Sequence, residues 1–156
     1  MLRLKIRELR DGPVPTRGTM QPDDPAFAGL ELHFDGPVSV TGTLHRVERE
    51  GYLWRGHLQA RFRGDCRRCL AAVSLDLDED VEALFSADPD LADDPAVYAL
   101  APAADAIDLG EAVREELALR VTAFPLCRPD CRGLCATCGA ELNAGPCACE
   151  RAGSTN

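Results

Sequence analysis

Apolar and polar side chains alternate with a period of two through most of the first half of the chain, and the period lengthens to that of a helix only near residue 108. Residues 1–9 set Leu2, Leu4 and Ile6 against Arg3, Lys5 and Arg7, the pattern of a half-buried strand. Residues 11–29 carry four prolines, three glycines and the pair Asp23–Asp24, which predicts a loop. Short strands are expected at 30–34 and 38–48. The clearest alternation spans 52–63, with Tyr52, Trp54, Leu58, Ala60 and Phe62 on one face and Arg55, His57, Gln59, Arg61 and Arg63 on the other. Residues 72–85 mirror it, placing Val73, Leu75, Leu77, Val81, Ala83 and Phe85 inward and Asp76, Asp78, Asp80 and Glu82 outward. Glu79 interrupts that pattern and marks a bulge or a bend. The two segments flank CRRC at 66–69 and should pair as an antiparallel hairpin.

Residues 86–105 are rich in Asp, Ala and Pro, with room for a short edge strand at 96–100. One helix is expected over 108–124. Asp108 with Glu111 resembles a capping box. Leu109, Ala112, Val113, Leu117, Val121 and Phe124 follow at helical spacing, and Pro125 ends the run. The fold class is therefore α+β. It comprises an antiparallel sheet of five or six strands (a meander or partly open barrel), one long helix and a C-terminal zinc knuckle. The predicted division is an α+β domain over 1–126, a Cys-rich tail over 127–150 and a frayed terminus over 151–156.

Composition narrows the function. At 156 residues and 46% hydrophobic, the chain can bury a core as one main domain. Its longest nearly apolar stretch, residues 96–104, is too short for a bilayer and contains Pro102, so no membrane partner is expected. The N-terminus has no continuous apolar segment, which points to a cytoplasmic protein. The net charge of −9 is uneven: residues 1–70 hold 12 Lys/Arg against 9 Asp/Glu, and residues 71–156 hold 5 against 17. Such a balance disfavours non-specific nucleic-acid binding and favours basic partners.

Eight cysteines fall in four close pairs: Cys66/Cys69, Cys127/Cys131, Cys135/Cys138 and Cys147/Cys149. In a reducing compartment these are metal ligands before they are disulfides. Four pairs suit two structural zinc ions, each with four thiolates in a tetrahedron. Cys135, Cys138, Cys147 and Cys149 make a local site closed over Gly145–Pro146. Cys66, Cys69, Cys127 and Cys131 remain for a second, which would pin the hairpin tip to the helix exit. The glycine of CATCG permits a left-handed turn around the sulfurs; CRRC has Leu70 in its place.

The set CRRCL at 66–70, IDLGEAVREEL at 107–117 and FPLCRPDCRGLCATCGAELNAGPCAC at 124–149 resembles the YceD family, the bacterial and plastid large-ribosomal-RNA accumulation family. The resemblance covers roughly residues 30–150. It departs mildly where FPLC stands in place of the family's frequent Leu-Pro. It implies a ribosome-biogenesis role, with the large-subunit precursor, a ribosomal protein or large-subunit RNA as partner. No small-molecule substrate is implied, and no P-loop, HExxH or G-x-S-x-G pattern speaks for an enzyme.

The basic face of residues 55–63 lies opposite Asp76–Glu82, so most of it should be neutralised across the strands. Arg63, Arg67 and Arg68 near the tip are the expected RNA or partner contacts. The acidic run 76–94 is either a solvated face or a cradle for a basic protein. His33, His45 and His57 lack ligand spacing, and Trp54 is expected in the core. A second reading of the cysteines is a redox-responsive zinc protein whose thiolates oxidise and release metal.

Overall fold

The computed structural model describes residues 2–48 and 51–149. In chain order the strands are β1 (Arg3–Lys5), β2 (Val14–Met20), β3 (His33–Phe34), β4 (Val38–Val47), β5 (Gly51–Asp65), β6 (Ala72–Ser86), β7 (Val97–Ala99) and β8 (Ala106–Asp108), followed by the helix α1 (Gly110–Arg120). The main sheet runs β2-β4-β5-β6-β7, with β3 paired to the far end of β5; β1 and β8 form a separate two-stranded ladder. The sheet is open rather than a closed barrel. It is also mixed, because β7 pairs with β6 in parallel after the chain doubles back through residues 87–96. Among the described residues no helix is long and apolar enough to cross a membrane.

The long hairpin is the frame. β5 and β6 pair in one unbroken register from Gly51↔Ser86 to Asp65↔Ala72. Glu79 therefore marks no bulge: it keeps its place opposite Leu58, exposed, on the face that Leu77 and Val81 bury. Trp54 is fully buried. Its indole lies against Gly56, where an added Cβ would sit 2.3 Å from the ring, and against Gly42, paired directly opposite. Beyond Gly42 in the same cross-strand row stands Thr16, whose Oγ1 accepts the indole N–H at 2.9 Å. The two glycines clear the row so that one aromatic plate crosses three strands.

Several expectations change. Residues 14–20 are a strand and not loop; Val14 and Met20 face the core, but Thr16 and Gly18 stand at the inward positions between them and break the apolar alternation. Thr16 is there to receive the indole, and Gly18 lies under Leu2, whose Cδ2 would meet a Cβ at 2.6 Å. Pro15 is tolerated because β2 is an edge strand. The expected strand over 1–9 shrinks to β1, since the chain then winds into a 3-10 turn over Ile6–Arg10 that buries Leu9. Ile107, fully buried, belongs to β8 and not to the approach of a helix.

The helix is short, 11 residues, and buries Ala112, Val113 and Leu117. The expected capping box does not form: the N-cap is Leu109 without a side-chain cap, and Asp108, the last residue of β8, accepts from the Gly110 N–H at 2.9 Å. Its end falls at Arg120, and Val121 is already extended. Phe124 is therefore not on the helix's apolar face; it stands 61% exposed. Helix and sheet are tied by the Tyr98 hydroxyl donating to Glu115 at 2.7 Å, and Arg114 ties the helix to the 3-10 turn Pro25–Phe27 by donating to the carbonyls of Ala26 and Ala28. The expectation that residues 151–156 fray falls outside the described residues.

Candidate metal centre

The hairpin tip and the chain after α1 meet at the first cysteine group. Cys66, Cys69, Cys127 and Cys131 have their sulfurs within 4.8 Å of one another. Cys66 Sγ lies 3.7 Å from Cys131 Sγ, and Cys69 Sγ lies 3.6 Å from Cys127 Sγ. A tetrahedron of thiolates about 2.3 Å from its centre has edges of about 3.8 Å, so these separations fit one zinc ion without rearrangement. Cys66, Cys69 and Cys131 are buried, with Val73 and Leu134 packed against them. The second group, Cys135, Cys138, Cys147 and Cys149, gathers to the same tolerance on the C-terminal segment and is more open to solvent. This division into two fours is the one expected from the spacing.

Each group is built on the same turn. Cys66 donates its N–H to the Ala71 carbonyl at 2.8 Å, and Leu70 donates to the Cys66 carbonyl at 2.8 Å. In the second group Cys135 donates to Ala140 and Gly139 to Cys135, both at 2.8 Å. Gly139 adopts φ +72°, in the left-handed region; Leu70, at the equivalent place, adopts φ +60° without being glycine. The first turn thus carries a strain of about 1–2 kcal/mol that the second avoids. Leu70 offsets little of it by burial, being 66% exposed.

The protonation preferences within each group are opposed. The Cys127 backbone N–H draws the Cys66 thiol down to about 6, and the Asn143 amide lowers Cys131. Beside Cys131, Cys127 is pushed up to about 12. In the second group the Cys138 N–H draws Cys135 down to about 6, while Cys149, next to Cys138, rises to about 12. Four clustered thiols cannot all ionise against one another; a shared dication removes that conflict.

Asn143 was not anticipated as part of the site, although the Leu-Asn of GAELN carried part of the family resemblance. Its Nδ2 donates to Cys131 Sγ at 3.4 Å while its Oδ1 accepts the Arg132 N–H at 2.8 Å, so a residue between the second pair of knuckles supports the first centre. Arg68 is likewise committed to the site, donating to the Cys131 carbonyl at 2.9 Å. Arg67 lies over the exposed Phe124 ring, 4.1 Å from its centroid, and its backbone N–H donates to the Pro125 carbonyl.

The sheet face next to the tip is neutralised pair by pair. Arg55 meets Glu82 at 2.8 Å, His57 meets Asp80 at 2.8 Å, Gln59 meets Asp78 at 2.8 Å and Arg61 meets Asp76 at 2.6 Å. Arg63 is not free as expected. The register sets it opposite Ser74, and it turns to Asp35 after β3, donating through Nε at 2.9 Å. Of the three expected contacts, only Arg67 holds no oxygen partner among the described residues.

An open mixed sheet whose hairpin tip meets the chain after α1 at four cysteines is the frame on which the first candidate metal centre is built. The sequence profile of the YceD family, described as large ribosomal RNA subunit accumulation protein, matches residues 54–155, and the chain belongs to that family. It is 35% identical over 127 residues to an uncharacterized protein of Mycobacterium tuberculosis, covering 78% of this chain and 61% of that protein. It is 30% identical over 128 residues to an uncharacterized protein of Mycobacterium leprae, covering 78% and 58% respectively. A 51-residue stretch, 31% of this chain and 17% of its relative, is 45% identical to the chloroplastic large ribosomal RNA subunit accumulation protein YCED homolog 1 of Zea mays. The chain thus spans about three fifths of the length of the mycobacterial relatives it matches. No solved structure matches it.

Proposed function

We propose that this protein is a non-enzymatic ribosome-biogenesis factor, cytoplasmic, that supports accumulation of large-subunit ribosomal RNA by acting on precursor particles through a basic ribosomal protein. Family membership carries the ribosomal part of this reading. The protein partner is favoured by charge. The cations of β5 are spent on carboxylates of β6 and on Asp35, while Glu79, Asp90, Asp93 and Asp94 remain exposed in a chain of net charge −9. A basic protein approaching that surface gains long-range attraction and fast, salt-sensitive association.

Two zinc ions hold the tip in this reading, the first on Cys66, Cys69, Cys127 and Cys131 and the second on Cys135, Cys138, Cys147 and Cys149. Their role is structural: four thiolates leave no open position for water, so they supply folding energy and not chemistry. Elemental analysis of the reduced protein should return two zinc per chain, and fewer than one would remove the metal from the proposal. Affinity capture from lysate with and without ribonuclease, read by mass spectrometry, tests the partner. Large-subunit proteins retained after ribonuclease support the reading; their loss, with RNA recovered only in the untreated arm, would transfer the contact to RNA.

A further inference from the structure

At the opposite end of β5 from the cysteine tip, the 3-10 turn Ile6–Arg10 forms one wall of an open cleft of about 580 Å³. Tyr52 lines its floor, so the cleft and the Cys66 knuckle stand roughly 40–45 Å apart along the strand. A 3-10 turn eclipses side chains three residues apart. Here that rule sorts the turn into two faces. Ile6 and Leu9 pack inward, and Arg7 and Arg10 stack outward on the same side. Lys5 precedes them, and Arg46 joins them from β4.

Here four cations gather without a carboxylate of their own in a chain rich in carboxylates. Carboxylates outnumber basic residues 26 to 17, and Arg3, Arg55, Arg61, Arg63, Arg120 and Arg128 each hold an acidic partner. Lys5, Arg7, Arg10 and Arg46 hold none among the described residues, although all four are exposed and gathered round one cleft. The one carboxylate in the lining, Asp105, is ion-paired to Arg3 at 3.8 Å. Like charges brought together by backbone geometry and left unneutralised repel; an anion placed among them converts that repulsion into binding.

We propose that this cleft is a phosphate-binding site that holds the backbone of RNA, with Lys5, Arg7, Arg10 and Arg46 as its ligands. Phosphodiester fits better than an isolated carboxylate. Four cations from β1, the 3-10 turn and β4 line an open trough, and a phosphate repeat along a strand presents a charge to each. The choice of RNA as the occupant rests on the ribosomal reading above, whereas the choice of phosphate does not. The molecule then presents two signs, the carboxylates of β6 and of the segment after it for a basic protein and a small cationic cleft for the RNA beside it.

The test uses the full zinc-loaded chain and a fluorescein-labelled single-stranded RNA of about 20 nucleotides, titrated by anisotropy across a salt series. Four contacts on a single strand give a salt slope of about −2.8. Arg7→Gln/Arg10→Gln/Arg46→Gln should weaken binding at low salt by at least about tenfold and flatten the slope by about 2. These side chains are exposed, and an unchanged melting temperature verifies the fold. Arg67→Gln, whose side chain lies over the Phe124 ring, should leave both quantities unchanged. Unaltered affinity and slope in the triple variant would overturn the site, as would loss confined to the tip variant. Displacement of the RNA by micromolar inorganic pyrophosphate would assign the cleft to a small phosphate compound and overturn the RNA occupant. Co-sedimentation of the triple variant with precursor particles is read separately: if it persists while RNA binding never depended on the cleft, only this inference falls, and if the wild-type chain does not co-sediment, the ribosomal reading falls instead.

Discussion

Replacing Cys66 should cost more stability than replacing Cys147, and the difference can be worked from chain geometry. A metal that joins Cys69 to Cys127 closes a loop of 58 residues, whereas one that joins Cys138 to Cys147 closes about nine. The chain-entropy relation used for cross-links gives about 4.2 kcal/mol for the first and about 2.6 kcal/mol for the second at 25 °C. Cys66 is also fully buried beside Val73 and Leu134, so truncation opens a small void that Cys147, partly exposed, does not. Cys66→Ala is therefore expected to destabilise the zinc-loaded protein by about 2 kcal/mol more than Cys147→Ala. For a domain of this size that is a gap of roughly 4–8 °C in melting temperature. The assay is thermal unfolding by circular dichroism, with zinc content measured on the same samples. Trp54, the single tryptophan, reports the sheet independently by its emission. If Cys66→Ala does not fold, chelator titration of the wild type replaces it, with loss of zinc from the first centre expected to coincide with the change in Trp54 emission. Equal melting temperatures, or the reverse order, would refute the argument that the first centre ties distant parts of the chain.

Gly56→Ala should destabilise by about 2–4 kcal/mol, since the new methyl would lie 2.3 Å from the Trp54 ring and the displaced indole would lose its bond to Thr16; a neutral result with unshifted emission would sink this account. In the Trp54→Phe background the same substitution should cost far less, by a double-mutant cycle in chemical denaturation. His57, bonded to Asp80, should titrate above its ordinary 6.5. Because the folded value is raised, its stabilisation is complete below about pH 6.5 and is lost as pH rises through the folded pKa. NMR should place the midpoint lower in Asp80→Asn but still raised, because Asp78 lies 3.1 Å from the other ring nitrogen, and no change there would refute the pairing. Protein-free large-subunit RNA should bind no tighter than about micromolar at physiological salt, as expected for few free cations. Sub-micromolar binding abolished by Arg67→Glu/Arg68→Glu would make the tip an RNA reader.

The features legible in the sequence were those whose signal is local. The β5–β6 hairpin declared itself by alternation, and its cross-strand charge pairs followed from register alone. The cysteine groups followed from spacing. What escaped depended on partners far away in the chain. β2 was hidden because Thr16 and Gly18 serve Trp54 and Leu2 instead of filling a core themselves. The helix was read four residues too long because Phe124 falls at helical spacing, yet Val121 leaves the helix and the Phe124 ring goes to Arg67. Arg63 looked free until β3 brought Asp35 to it. The four cations of the N-terminal cleft were unreadable as a group, because Arg46 lies far from the others in sequence and meets them only through β4.

The two matching cysteine turns differ in when they can close. The Cys135–Ala140 turn has glycine at its left-handed position and finds all its sulfurs within a few residues, so it is complete as soon as its own segment exists. The Cys66–Ala71 turn has Leu70 in a backbone conformation that the residue itself resists, and two of its sulfurs lie some sixty residues downstream. During synthesis its cysteines are made first and served last: the hairpin tip waits, thiols uncoordinated, until Cys131 has been added and α1 has delivered the exit segment. A metal held by all four sulfurs of the first group can therefore be closed in only after the chain has been made through Cys131.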